Sequence, residues 1–299
     1  MLEIESIKKG VHSGNFLTLA KAISSIENRE AFANEFLESL KPSSTPIMGI
    51  TGPPGAGKST LIASLIQDWV EQGKRIAVLS VDPSSPFHQG AILGDRIRMR
   101  EWYLHPNVFI RSLASRGHLG GLNGTTIELT TLLQSAGFDI IILETVGVGQ
   151  SEVEVAALAD TTLVVLVPEA GDDIQMMKSG LMEVADIFVV NKSDRPDAKA
   201  FASHIKQMLL ENHAAEKTSV VQTIASQKEG IKELIEAIAA HQNAHNSITA
   251  KQRLMLSKTM QLIVANKLQQ MNKESIETAL DKAMQEPGFN IFEFAKQFF

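Results

Sequence analysis

The sequence predicts an α/β protein: a mostly parallel central sheet flanked by helices, with an N-terminal helical extension and a C-terminal helical arm. Three observations predict it. Short apolar runs alternate with helical stretches from residue 46 to 240. Two of those runs, Ile140-Ile-Ile-Leu143 and Leu163-Val-Val-Leu-Val167, are apolar without interruption. A glycine-rich loop at 52–59 then separates the first run from an amphipathic stretch. Uninterrupted apolar strands are covered on both faces, and strand–helix alternation is the pattern of a parallel sheet.

The elements follow in order. Residues 1–40 show the apolar spacing of two or three short helices, in Phe16, Leu17, Leu19, Ala20, Ile23 and Ile26, and Lys41-Pro-Ser-Ser-Thr-Pro46 breaks that pattern. Strands are expected at 47–51, 76–81, 107–111, 138–144, 161–167, 186–191 and 219–223. The polar stretch from His241 to Ser247 reads as a hinge, after which Leu254, Leu256, Met260, Ile263, Val264 and Leu268 mark a long helix. The expected units are therefore 1–45, 46–242 and 243–299.

Composition narrows the function classes. A chain of 299 residues can bury a substantial core in one large domain or two smaller ones. A net charge of −6 predicts no nucleic-acid partner and no anionic membrane surface. With no cysteine, disulfides, iron–sulfur clusters and thiolate metal sites are excluded. The opening Met-Leu-Glu-Ile-Glu-Ser lacks the basic start and apolar core of a signal peptide, and no uncharged apolar run approaches the ~18 residues of a membrane span. A cytoplasmic protein is expected.

Residues Gly52-Pro53-Pro54-Gly55-Ala56-Gly57-Lys58-Ser59 fit the phosphate-binding pattern G-x-x-x-x-G-K-[ST], between a strand and a helix as that pattern requires. The glycines let successive N–H groups curl around a phosphate, and the helix start adds its own attraction for anions. Lys58 would reach the β- and γ-phosphates, and the Ser59 hydroxyl would take one Mg²⁺ position. Asn191-Lys192-Ser193-Asp194 follows strand 186–191 and matches the N-K-x-D pattern of guanine sites. The Asp194 carboxylate accepts from guanine N1–H and the exocyclic amino group, whereas adenine presents an acceptor there. Asn191 would brace the loops, and the Lys192 stem would lie over the base. Thr223-Ile224-Ala225-Ser226 stands where GTPases usually carry a Ser-Ala pair whose backbone N–H meets guanine O6; Ile224 replaces the serine, and Ala225 still supplies an N–H.

Glu144 ends strand 138–144, where a carboxylate beside a phosphate loop commonly holds Mg²⁺ directly or through water. Asp82 and Asp95 are two further candidates near a first switch; as ordinary residues they read as a turn-initiating aspartate and a helix N-cap. Gly147 suits sensing of a γ-phosphate through its N–H. Gln150 is a candidate for orienting the attacking water, against a solvent-facing glutamine. Arg116 lies in a glycine-rich loop suited to phosphates or a partner. His118 has no second histidine at ligand spacing, so no transition-metal site is expected.

Taken in order, these residues resemble the MeaB/ArgK family of SIMIBI-class P-loop GTPases, accessory proteins of adenosylcobalamin-dependent acyl-CoA mutases such as methylmalonyl-CoA mutase. The resemblance rests on 52–60 (Gly52 through Thr60), 81–85, 92–95, 115–121, 144–152, 170–175, 183–186 and 191–194, and covers roughly residues 1–240. It implies a GTPase domain (GTP to GDP and phosphate), Mg²⁺ near Ser59, Asp82, Asp95 and Glu144, and a C-terminal dimerisation arm that makes a homodimer. It also implies a partner-responsive switch at 170–180, where Asp172, Asp173, Gln175 and Lys178 can re-pair. The sequence departs from the family at Pro86–Ala91, Met176-Met177 and Asn123-Gly124. Two alternatives are a nickel metallochaperone GTPase for hydrogenase or urease, which would depend on Cys/His clusters, and an ArgK-like kinase.

Overall fold

The computed structural model describes residues 2–82, 99–114, 124–145, 151–168, 182–211, 218–244 and 273–283. Three helices come first: α1 (Leu2–His12), α2 (Phe16–Glu27) and α3 (Ala33–Glu38). The sheet then builds through β1 (Ile47–Thr51), α4 (Lys58–Glu71), β2 (Ile76–Asp82), β3 (Val108–Ala114), α5 (Gly124–Gln134), β4 (Ile140–Thr145), α6 (Ser151–Leu158) and β5 (Thr161–Leu166). It closes with β6 (Ile187–Val190), α7 (Ala198–Glu211), β7 (Ser219–Gln222) and α8 (Ile231–Ala244); α9 (Lys273–Ala283) lies beyond. The seven strands stand in the order β3-β2-β4-β1-β5-β6-β7, and all their pairings are parallel. All seven expected strands form, with ends shifted by at most a few residues.

Period-two alternation decides which helix covers which face. Met48, Ile50, Val78, Ile142, Val165 and Val189 pack on one face against Leu61, Leu65 and Trp69 of α4 and Leu234 and Ile238 of α8. Ile47, Leu79, Ile141 and Leu143 point the other way, toward Leu19, Ile23 and Ile26 of α2, Leu132 of α5 and Val155 of α6. On that same face Val164, Leu166, Phe188 and Val190 meet Phe201 and Ile205 of α7. Each such fully buried side chain contributes about 1.5–3 kcal/mol. Gly49 lets α6 approach β1, because a Cβ there would strike the Val155 and Ala159 side chains.

The N-terminal ends of the strands are fastened by one device used three times. An aspartate just before a strand donates its N–H to a neighbouring strand's carbonyl and accepts that strand's N–H on its carboxylate. Asp139 clasps Arg75 (2.8 Å each way), Asp160 clasps Ile47 (2.7 and 2.8 Å) and Asp186 clasps Thr162 (3.0 and 2.7 Å). Asp186 also meets Nε2 of buried His241 at 3.1 Å, while His241 Nδ1 pairs with the Thr161 hydroxyl at 3.0 Å.

The N-terminal helices are tied to the β3 side of the sheet. Phe16 packs on Phe109 and Phe138, and the Arg75 guanidinium lies 5.9 and 5.3 Å from the Phe16 and Phe138 ring centres. Two ion pairs join the turn ending α2 to its neighbours: Arg111 of β3 with Glu27 (2.7 Å), and Arg29 with Glu128 of α5 (2.6 Å).

One expectation needs correcting. The polar stretch from His241 is not a hinge up to residue 244: α8 continues to Ala244, and the buried contacts of His241 with Asp186 and Thr161 stabilise its last turn. The expected boundary at 242–243 therefore falls inside a helix. Residues 245–247 and the expected helix at 254–268 lie outside the described residues.

Replacing Asp160 by Ala removes one clasp and leaves the Ile47 N–H without its acceptor. A loss of about 1–3 kcal/mol is expected in urea unfolding, with Asp160→Asn losing less because its amide oxygen still accepts.

Candidate functional site

The candidate residues within the described segments gather at the C-terminal edge of the sheet. After β1 the chain turns at Gly52, whose φ of 135° only glycine adopts readily; a Cβ there would run into the Val165 carbonyl of β5. Gly57, at φ 91°, caps α4 without any side-chain bond, and a Cβ there would press on the Asn191 amide. The loop thus lies between β5 and Asn191. Ala56, Lys58 and Ser59 are buried, Gly57 and Thr60 are half-buried, and Pro54 and Gly55 form an exposed tip. Lys58 Nζ donates to the carbonyls of Gly52 (2.7 Å) and Pro53 (3.0 Å), so its charge lies within the curve of its own loop. The first N–H groups of α4 have no intrahelical acceptor, which makes this turn suited to an anion.

Glu144, 2% exposed, stands in β4 between Ile50 of β1 and Ser80 of β2. Both carboxylate oxygens are occupied: Ser59 Oγ donates to Oε1 at 2.8 Å and Ser80 Oγ to Oε2 at 3.0 Å. A buried carboxylate needs such donors. The set is all oxygen, hydroxyl and carboxylate together at the start of α4, which suits a hard cation such as Mg²⁺. Beside it the Thr145 hydroxyl donates to that of Thr51 at 2.9 Å. Asp82 is the last residue of neighbouring β2, paired in register with Ala114. Asp95, Arg116, Gly147, Gln150, Asp172, Asp173, Gln175 and Lys178 lie outside the described residues.

Asn191, 2% exposed, is a three-way junction. Its Nδ2 donates to the Ala56 carbonyl of the phosphate loop (2.9 Å), while its Oδ1 accepts from the Thr223 hydroxyl and the Ala225 N–H (3.1 Å each). Lys192 takes a left-handed backbone (φ 55°) and stretches its stem so that Nζ donates to the Gly55 carbonyl at 2.7 Å. Asp194 is exposed two residues on. Beyond β7, residues 223–230 close into a tight loop: Ile224 and Glu229 exchange backbone hydrogen bonds around a short 3₁₀ turn, Ala225–Gln227. The expectation that the Ala225 N–H faces a guanine O6 meets a difference, because this N–H donates to Asn191 instead.

Sequence reasoning missed two polar residues here. Ser80 interrupts the apolar strand Ile76–Asp82, and Ser64 interrupts the buried face of α4. Each is a hydroxyl on an otherwise apolar face, which is the available signal, but their partners Glu144 and Ala225 lie far away in the chain.

A parallel sheet with a phosphate loop after β1, a buried carboxylate near the end of β4 and an N-K-x-D turn after β6 defines a P-loop GTPase. Residues 19–277 match the family described as Methylmalonyl Co-A mutase-associated GTPase MeaB. The chain belongs to that family and is a GTPase. Among its relatives is a Pyrococcus horikoshii protein bearing a GTPase name, 41% identical over 275 residues, spanning 89% of this chain and 87% of that one. The Escherichia coli GTPase ArgK is 38% identical over 271 residues, spanning 87% and 81%. The crystal structure of a LAO/AO transport system kinase superposes with a TM-score of 0.70 at 26% identity, covering 100% of this chain and 97% of that one.

Asn191→Ala severs the phosphate loop from the loop after β7 and strands the Ala225 N–H. A loss of about 1–3 kcal/mol in unfolding free energy is expected for that buried donor alone, together with weaker GDP binding by titration calorimetry.

Proposed function

We propose that this GTPase serves an adenosylcobalamin-dependent acyl-CoA mutase, gating the loading and protection of its cobalamin cofactor, with methylmalonyl-CoA mutase the first candidate. The family match over residues 19–277 carries this reading. The phosphates lie on 52–60, with Lys58 on the β- and γ-phosphates. Guanine is read by Asp194 and by the loop Ile224, Ala225 and Ser226, in which the Ile224 and Ala225 N–H groups are held by Glu229 and Asn191, with the Lys192 stem across the base and Asn191 bracing both loops. Ser59 and Glu144, with Asp82 and Asp95, hold Mg²⁺, which supplies positive charge against the phosphate oxygens when bound.

Gln150 orients the attacking water in this reading. GTP orders the segments that carry Arg116, Gly147, Asp172, Asp173, Gln175 and Lys178, and hydrolysis releases them, changing the grip on the mutase. Hydrolysis by the free protein is slow and the partner completes the site. The units are 1–45, the GTPase domain 46–242, and an arm at 243–299 that joins two copies into a homodimer; with α8 intact to Ala244, the arm's own geometry begins beyond it. The reading is cytoplasmic, and no helix among the described residues is long and apolar enough to cross a membrane. A nickel-chaperone role is disfavoured by the absence of cysteine, and an ATP-dependent kinase role by Asn191-Lys-Ser-Asp194.

Affinity capture from cells that make a cobalamin mutase should recover that mutase in a nucleotide-dependent way; recovery of only a hydrogenase or a transporter would sink the proposal. Lys58→Ala should abolish GTP hydrolysis in a phosphate-release assay, and wild-type turnover in that variant would refute its phosphate role. Asp194→Asn places an amide donor where guanine offers its amino group. GTP affinity should fall by about 100-fold and xanthosine triphosphate should become the better ligand, read by competition against a fluorescent nucleotide.

A further inference from the structure

Ser64 lies in the middle of α4, 8% exposed, on a helix face otherwise given to Leu61, Leu65 and Trp69. Its hydroxyl is 2.7 Å from the Ala225 carbonyl and 3.1 Å from the Thr60 carbonyl one turn back in its own helix. A hydroxyl has one proton, and the shorter contact takes it. That contact spans 161 residues of sequence and joins the helix that follows the phosphate loop to the loop after β7.

Ala225 is thereby held from both sides. Its N–H donates to Asn191, at the end of β6, and its carbonyl accepts from Ser64, on α4. The loop around it is stiff in its own right: the Ile224–Glu229 pair closes it, Lys228 takes φ 61°, and a Cβ at Gly230 would collide with the Gln222 carbonyl. A closed loop of that kind moves as a unit, so two anchors on one residue set where its N–H groups point. Of the two, only Ser64 ties it directly to α4.

We propose that Ser64 is a positioning residue for base recognition: it fixes loop 223–226 at a set distance from the phosphate-binding helix, so that the loop meets the six-position of the purine. This rests on the guanine-site reading above. The consequence is specific to one edge of the base. GTP and inosine triphosphate share the six-position oxygen and differ only in the two-amino group that Asp194 reads, whereas ATP carries an amino group at position six.

The test compares GTP, inosine triphosphate and ATP as competitors against a fluorescent GDP analogue on the full chain, for wild type, Ser64→Ala, Ser64→Thr and Asp194→Asn. Ser64→Ala should weaken GTP binding and cut the preference for GTP over ATP by about tenfold, the worth of one buried hydrogen bond. Its preference for GTP over inosine triphosphate should stay within twofold of wild type, kcat at saturating GTP should hold while KM rises, and Ser64→Thr should restore the ATP discrimination. A Ser64→Ala protein that binds all three nucleotides less well by one common factor, or that discriminates as wild type does, overturns the proposal while leaving the guanine site standing if Asp194→Asn shifts preference as expected. Should Asp194→Asn leave guanine preference intact, the guanine-site reading falls, and the Ser64 proposal with it.

Discussion

Register in the parallel sheet is the constraint on which the site depends, and it is set at the edge farthest from the chemistry. Parallel strands have evenly spaced, slanted bonds and no tight turn to lock their alignment. The three aspartate clasps supply that lock, each joining a strand start to a neighbour by two hydrogen bonds. Because side chains alternate faces, a slip of one residue would carry Glu144 from the side of Ser59 and Ser80 to the opposite face. The Asp139 clasp sets β4 in register with β2, so that Glu144 stands level with Ser80, and the β1–β4 ladder sets it level with Ile50, so the carboxylate arrives beside the first turn of α4.

At the other edge the polar groups form a connected network. Asn191 bonds to the phosphate loop and to the loop after β7, Lys192 reaches the tip of the phosphate loop, and Ser64 closes the circuit from α4. The bonds of Asn191 and Ser64 are buried, and such bonds strengthen in a low-dielectric interior, where an unmade one is costly, so these parts are held as one body. Glycine makes the closeness possible: the Val165 carbonyl and the Asn191 amide stand where side chains at 52 and 57 would be.

Much of this was legible in the sequence, for identifiable reasons. Strands covered on both faces announce themselves as apolar runs, and Ile140–Leu143 and Leu163–Leu166 needed no further context. The phosphate loop and Asn191–Asp194 are local patterns whose spacing carries their chemistry. What escaped reading were pairings made through space. Ser64 and Ser80 look like minor interruptions of apolar faces until the fold sets a carbonyl and a carboxylate against them. The polar composition from His241 to Ser247 suggested a hinge for the same reason: Asp186 and Thr161, which accommodate the His241 ring and keep α8 helical to Ala244, are more than fifty residues upstream. The Ala225 N–H was assigned outward because nothing in its neighbourhood revealed that Asn191 would turn an oxygen toward it.

Helix α8 starts directly after the tight loop beside Ala225 and finishes at His241 and Ala244, among the aspartate clasps. Its fourteen residues make a rod of about 21 Å laid antiparallel to the strands. At Ala244 the described chain therefore stands at the pole opposite the nucleotide edge. One rigid element thus spans the depth of the sheet, so a tilt of that rod at the clasped end would be felt at the base loop.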